Sequence, residues 1–330
     1  MLGLFAHIRQ ADAAGPAAAC GRRLLDARLR ALVDYRVVFC YADIGTSGRA
    51  TAPFPVRRPC ELQRGKRADD GHDADDDRTA SAAVTEGRPF ARERGEVARA
   101  CRVLAVEGLV ADILGHVSLR VSDDLLLVRA RGPADEGLLL STGDDVVLVD
   151  LNGTPAEELA DHVLPQELAI HLAVLRRRPD MTAVVHAHPP DVVACSIGGL
   201  VLEPVFGAFN IPAMRMAERG IPVYRYYGLV RDRARGEEMA DALGDGPAVM
   251  LLGHGLTTTG PSLAAAAVTA LNVSKLATMT LALASAGRQP PLVPAQDRAG
   301  LPDLGSQFND QAVWRAYLAK LAHHGLDIAG

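Results

Sequence analysis

The sequence predicts an α/β domain over about residues 92 to 290 of a 330-residue chain. Two observations carry that expectation. From Glu93 onward, short apolar runs of strand length alternate with segments of helical period, which is the order of an α/β fold. The runs at the front are separated by brief polar turns, as antiparallel neighbours are.

Each element has its own reason. Val97, Cys101, Leu104 and Leu109 recur at helical spacing, with Gly108 near the helix end. Val117-Ser118-Leu119-Arg120-Val121 alternates as a strand does, and residues 125–128 form a second strand after an Asp-rich turn. Residues 145–149 make a third, closed by Asp150-Leu151-Asn152-Gly153, whose Asn-Gly pair marks a tight turn. Residues 165–177 read as a helix with Pro165 at its start. A strand at 182–185, a helix at 191–197, a strand at 246–252 and a helix at 262–286 follow. Trp314, Tyr317 and Leu318 mark a last helix that packs on the body or on a neighbouring subunit.

Composition narrows the function. A net charge of -5 with no basic stripe offers nothing to nucleic acid, and Arg176-Arg177-Arg178 reads as a solvated helix end. Five scattered cysteines, Cys20, Cys40, Cys60, Cys101 and Cys195, form no zinc or disulfide spacing, which fits a reducing cytoplasm. The start Met1-Leu2-Gly3-Leu4 lacks a long apolar stretch and a cleavage signal, so secretion is not expected. The Ala-rich run 263–286 is interrupted by Asn272, Ser274 and Lys275, so it reads as a buried helix rather than a membrane span. Residues 57–80, dense in Arg and Asp, read as linker-like, and residues 1–91 as a poorly ordered or atypical extension. An EF-hand starting at Asp73 fails, because its sixth and twelfth positions hold Arg78 and Val84.

The chemistry concentrates in His186-Ala187-His188, at the end of the run Ala183-Val184-Val185. Two histidines one residue apart on a strand share a face, and two adjacent imidazoles are costly unless both are neutral or share a metal. Pro189 and Pro190 stop the strand, placing the rings at a sheet edge. His254, between Gly253 and Gly255, ends another apolar strand. A third histidine or a carboxylate beside the pair makes a three-ligand site with an open position, which is a catalytic geometry. Glu167 begins a helix with His171 one turn later on the same face. On its own a buried histidine is more often a core residue, and His171 reads as structural or as a support to the ligands.

Pro165-Gln166-Glu167, Arg178-Pro179-Asp180, Ala183-Val184-Val185-His186-Ala187-His188 and Leu252-Gly253-His254-Gly255-Leu256 resemble the central signature of the class II aldolase/adducin family. Gly115-His116-Val117-Ser118-Leu119-Arg120 resembles that family's early Gly-Asn-x-Ser-x-Arg segment. The resemblance covers about residues 93 to 290. It implies a three-layer α/β/α sandwich with a central, mostly antiparallel sheet, assembled as a homotetramer with sites near subunit boundaries. It also implies a divalent ion (Zn, Mn, Co or Fe) held by His186, His188 and His254, with Glu167 as a base that can approach the metal.

Departures from the sugar-phosphate members steer the substrate. Pro165-Gln166 stands where they carry Ser-Ser, and Leu140-Ser141-Thr142-Gly143-Asp144-Asp145 stands where they carry a Thr-Pro-Ser-Gly-like segment. Lost hydroxyls and added carboxylates disfavour a phosphate dianion. His116, Arg120, residues 129–132 and the Pro-Gln-Glu start resemble a branch of decarboxylases acting on dihydroxyphthalate and pyridine-dicarboxylate acids. A metal-dependent decarboxylase of a hydroxylated aromatic acid is therefore expected. Arg120, Arg131 and Gln166 would contact the substrate, and His116 or Glu167 would handle the proton. Aldol cleavage or epimerisation uses the same ligands. A non-haem iron oxygenase of the prenylated hydroxyphenylpyruvate type is a further alternative, and a non-catalytic adducin-like role a last one.

Overall fold

The computed structural model describes residues 88–110 and 113–327. The expectation for residues 1–91 therefore lies outside the described residues, except at its end, where Arg88 Nη2 donates to Glu157 Oε1 at 2.8 Å. The helices are α1 (Ala91–Val106), α2 (Leu168–Arg177), α3 (Pro190–Ile197), α4 (Ile211–Arg219), α5 (Arg233–Leu243), α6 (Leu263–Ser285), α7 (Ala295–Gly300) and α8 (Val313–His323). The strands are β1 (His116–Arg120), β2 (Leu125–Arg129), β3 (Val146–Asp150), β4 (Ala183–Ala187), β5 (Val223–Tyr224), β6 (Ala248–Leu251) and β7 (Gly255–Gly260).

The strands form one seven-stranded sheet in the order β3-β2-β1-β4-β7-β6-β5. Its pairings are antiparallel except for β5 with β6, as expected. Strand alternation sends two sets of apolar side chains to opposite faces. Val117, Val185 and Met250 join one buried cluster with Val97 and Leu104 of α1 and with Ala266 and Leu276 of α6. Val128, Val184 and Val249 join a second with Ile170 and Val174 of α2 and Met239 of α5. The sheet thus lies between two helical layers. All five residues of β4 are buried, which is why its sequence is a continuous apolar run rather than an alternation.

Several elements were not foreseen. The strand β7 reads Gly-Leu-Thr-Thr-Thr-Gly, too polar to mark as a core strand, yet all six residues are buried. Its threonines are satisfied: Thr258 Oγ1 donates to the Ala266 carbonyl at 2.8 Å, and Thr259 Oγ1 to that of Ala183 at 2.9 Å. The two-residue β5 and the helix α5 also lack a strong apolar period, whereas α4 carries one in Ile211, Met214 and Ala217 and was not marked. α6 packs eleven buried residues into the body, including Asn272, which accepts from Asn210 Nδ2 at 3.1 Å. Among the described residues, α6 alone is long and apolar enough to cross a membrane. Trp314, Tyr317 and Leu318 of α8 pack against the body. One placement is corrected: β4 lies between β1 and β7, so the histidine pair sits at the end of a central strand and not on an edge strand.

α2 and α5 meet through Gly236, where a Cβ would lie 2.7 Å from the Ala169 carbonyl oxygen and 3.1 Å from the Ala173 Cβ. Gly236→Ala should therefore push the helices apart and cost about 1–3 kcal/mol. Chemical denaturation should show the loss, and an unchanged midpoint would contradict this packing.

Candidate metal centre

Four side chains converge where β4 ends. His186 and His188 come from β4 and the residue after it. His254 comes from the turn between β6 and β7, where Gly253 takes φ +63° to make the reversal. Glu167 stands at the N-terminus of α2, where its carboxylate caps no backbone group of the helix. One ligand atom from each of these four residues lies within 4.8 Å of the others. Nε2 of His186 and Nε2 of His188 are 3.0 Å apart. Glu167 Oε2 is 3.3 Å from His254 Nε2 and 3.6 Å from His186 Nε2.

The surroundings aim these groups. Glu167 Oε1 accepts the Val230 backbone N–H at 2.8 Å, leaving Oε2 for the cluster. Thr257 Oγ1 lies 3.1 Å from His186 Nδ1, placed to accept its N–H when Nε2 faces an ion. Burial, then its histidine neighbours, holds His186 well below the ordinary imidazole range. Burial and then His254 push His188 down to about 4, against the pull of Glu167. Neutral imidazoles are the ligand form, and three of them with one carboxylate suit a catalytic divalent ion. The residues fit the group.

A second buried line runs behind this cluster. His116 stands directly opposite His186 in the β1–β4 register, and their rings stack with centroids 5.0 Å apart. His116 Nδ1 is 2.6 Å from His171 Nε2, and His171 Nδ1 is 2.6 Å from Ser118 Oγ. Burial pushes His171 down to about 3. Burial, then His171, His188 and Arg129, holds His116 well below the usual range.

Not every expected residue arrives. Arg120 is four residues from His116, about 13 Å along the strand, and its guanidinium donates to the carbonyls of Asp123 and Leu175. It braces the far end of α2. Arg131 follows β2 at the His116 end of the sheet, half-buried, with its backbone paired to Val163. Gln166 Oε1 accepts from Arg231 Nη2 at 2.6 Å. Arg231, Val230, Ser118 and Thr257 escaped sequence reasoning. Only Ser118 carried a signal, being two residues from His116 and therefore on the same strand face.

Residues 95–281 match the model of the Class II Aldolase and Adducin N-terminal domain, and the chain belongs to the class II aldolase/adducin family. It is 48% identical over 232 residues to 3,4-dihydroxyphthalate decarboxylase of Arthrobacter keyseri, spanning 69% of this chain and 94% of that one. It is 46% identical over 234 residues to the protein of the same name from Terrabacter sp. (strain DBF63), spanning 70% and 98%. Among solved structures, an aldolase II superfamily protein from Pseudomonas syringae matches with TM-score 0.63 at 24% identity, over 74% of this chain and 98% of that chain. L-fuculose 1-phosphate aldolase from Glaciozyma antarctica PI12 matches with TM-score 0.57 at 21% identity, over the same shares. At those identities the likeness speaks to the fold, and it bears out the sandwich.

Two outcomes follow from the site. An unfolded chain protonates His171 below about pH 6.5, whereas the folded protein keeps it neutral down to about 3. The unfolded state binds more protons in that window, so stability falls as pH drops through it. The metal-free protein should lose roughly 2 kcal/mol through His171 between pH 8 and pH 5, and a flat melting temperature would contradict a neutral, buried ring. At Gly255 a Cβ would lie 2.4 Å from the Ala187 carbonyl and 2.7 Å from His188 Cδ2. Gly255→Ala should displace a ligand ring and weaken metal affinity about tenfold or more, measured by competition with a chelating dye.

Proposed function

We propose that this protein is a divalent-metal-dependent carbon–carbon lyase that decarboxylates a hydroxylated aromatic acid of the 3,4-dihydroxyphthalate class. One observation carries the reading: the Glu167–His186–His188–His254 cluster lies in a domain 48% identical to a 3,4-dihydroxyphthalate decarboxylase. His186, His188 and His254 would hold the ion, with Glu167 at its side. When bound, the ion supplies Lewis-acid stabilisation of negative charge on an oxygen next to the carboxylate that leaves. Zinc, manganese, cobalt and iron all suit this donor set.

The chain's own residues do the rest. Loss of CO2 leaves an electron pair on the ring carbon, and that carbon takes a proton. Glu167, whose Oε2 lies 3.3 Å from His254 Nε2, is the acid–base group for that proton, and His116, stacked on His186, is a polar group for the substrate. Arg131, and Arg231 held by Gln166, are cations suited to the substrate's carboxylates.

The segment Ser141 to Asp145 supports an unphosphorylated substrate. Thr142 directs both its backbone N–H and its hydroxyl to Asp145 Oδ2, at 2.7 and 3.1 Å, so its donors are taken by a carboxylate. We also propose a cytoplasmic homotetramer. Free Cys101 and Cys195 suit a reducing compartment, and exposed Ile197, Val201, Phe209 and Tyr227 supply apolar surface for contact between copies.

Metal-loaded protein should release CO2 from 3,4-dihydroxyphthalate and stop after dialysis against a chelator. Glu167→Gln should lower kcat about 10²-fold or more. Cleavage of hydroxy-ketones without CO2 release from aromatic acids would overturn the assignment.

A further inference from the structure

The hydrogen-bonded line Ser118–His171–His116 has a direction, and it can be worked out from its buried end. Ser118 is fully buried, and its hydroxyl has one partner among the described residues, His171 Nδ1 at 2.6 Å. A buried hydroxyl with one neighbour leaves its hydrogen unsatisfied if it only accepts. Ser118 therefore donates, and His171 Nδ1 is the acceptor. A neutral His171 then carries its proton on Nε2 and donates it to His116 Nδ1, 2.6 Å away. A ring that accepts at one nitrogen and carries its hydrogen on the other is neutral, so the line itself fixes both rings as neutral. No ion competes for His171 or His116, since neither is in the four-residue ligand set. His186 differs, because ligation at Nε2 would dictate its tautomer.

With Nδ1 accepting, a neutral His116 has its hydrogen on Nε2. That atom makes no hydrogen bond among the described residues and is not among their fully enclosed, unpartnered polar atoms. It is therefore open to whatever enters beside His186, against which the His116 ring is stacked.

We propose that Ser118 and His171 are positioning residues that lock His116 as the Nε2–H tautomer, so that His116 serves as a fixed hydrogen-bond donor to an anionic oxygen of the substrate. A neutral imidazole that keeps its hydrogen does not hand a proton to carbon, so proton delivery to the ring falls to Glu167. This division of labour rests on the decarboxylase reading, whereas the tautomer does not. His116 recognises a carboxylate or phenolate oxygen that already carries charge in the bound substrate.

Neutron diffraction from the zinc-loaded, deuterium-exchanged protein tests the tautomer without any substrate. The expected result is deuterium on Nε2 of both His116 and His171, with the Ser118 deuteron directed at His171. Deuterium on His116 Nδ1 with Nε2 bare would overturn the proposal. In Ser118→Ala the bias is removed, and the His116 deuteron should divide between its two nitrogens. Full retention on Nε2 would remove Ser118 from the device.

Kinetics test the donor role. His116→Leu should lower kcat/KM about 10- to 100-fold, mainly through KM. His116→Gln, which keeps an N–H at a similar reach, should recover much of the loss without moving the pH profile. If Gln rescues nothing, or the profile loses a limb, His116 works as an acid or base and the proposal fails. A correct tautomer in a protein that releases no CO2 would sink the decarboxylase reading and leave the locked histidine standing.

Discussion

The site depends on β4 being buried on both faces in the middle of the sheet. A central strand has neighbours on both sides and a helical layer above and below, so its end is a fixed point with little freedom. His186 shares a face with Val184, and that face is covered by α2. The same register that pairs β1 with β4 sets His116 against His186. The turn that joins β6 to β7 brings His254 back across the end of β4, since β7 is its other neighbour. Glu167 and His171 follow because α2 packs on this face. Moving β4 by one residue would turn both His186 and Val184 to the other layer and take the site apart.

Such a cluster has an electrostatic cost. His116, His171 and His186 are buried, and His188 and His254 lie beside them. Protonating any of the buried rings would strand a cation out of water among like neighbours. The protein meets this with neutral rings and with directed partners: Thr257 for His186, the Val230 N–H for Glu167, and the His171–Ser118 line for His116. A bound cation gives the converging lone pairs and the carboxylate a common partner. The arrangement opposes acid stability and serves ligation, the kind of local conflict expected at functional sites.

The substrate side is shaped by what fills the neighbouring loops. Asp145 takes the donors of Thr142. Arg120 is spent on the carbonyls of Asp123, in the β1–β2 turn, and Leu175, near the far end of α2. Buried Arg129 is ion-paired with Asp135. Arg131 and the Gln166-bound Arg231 stand on loops, where substrate-specific contacts commonly lie.

Much of this was legible in the amino-acid order alone. Period and turn residues identified α1, α2, α3 and α6 and the strands β1 to β4 and β6, because those segments bury one face or both and must carry an apolar pattern to do so. His186-Ala187-His188, His254 and Glu167 stood out because ligand chemistry needs particular residue types near strand and helix ends. Beyond that, the sequence is silent for physical reasons. β7 is a strand because its threonines find partners in β4 and α6, which no local pattern encodes. Arg120 and Arg231 look alike as letters, and only packing sends one to the end of α2 and the other to Gln166. The sequence by itself determined the layer architecture and singled out His186, His188, His254 and Glu167 as candidate ligands. Tertiary structure alone decided which histidines converge with Glu167 and which is held by another histidine, because side-chain partners come from segments distant in the chain.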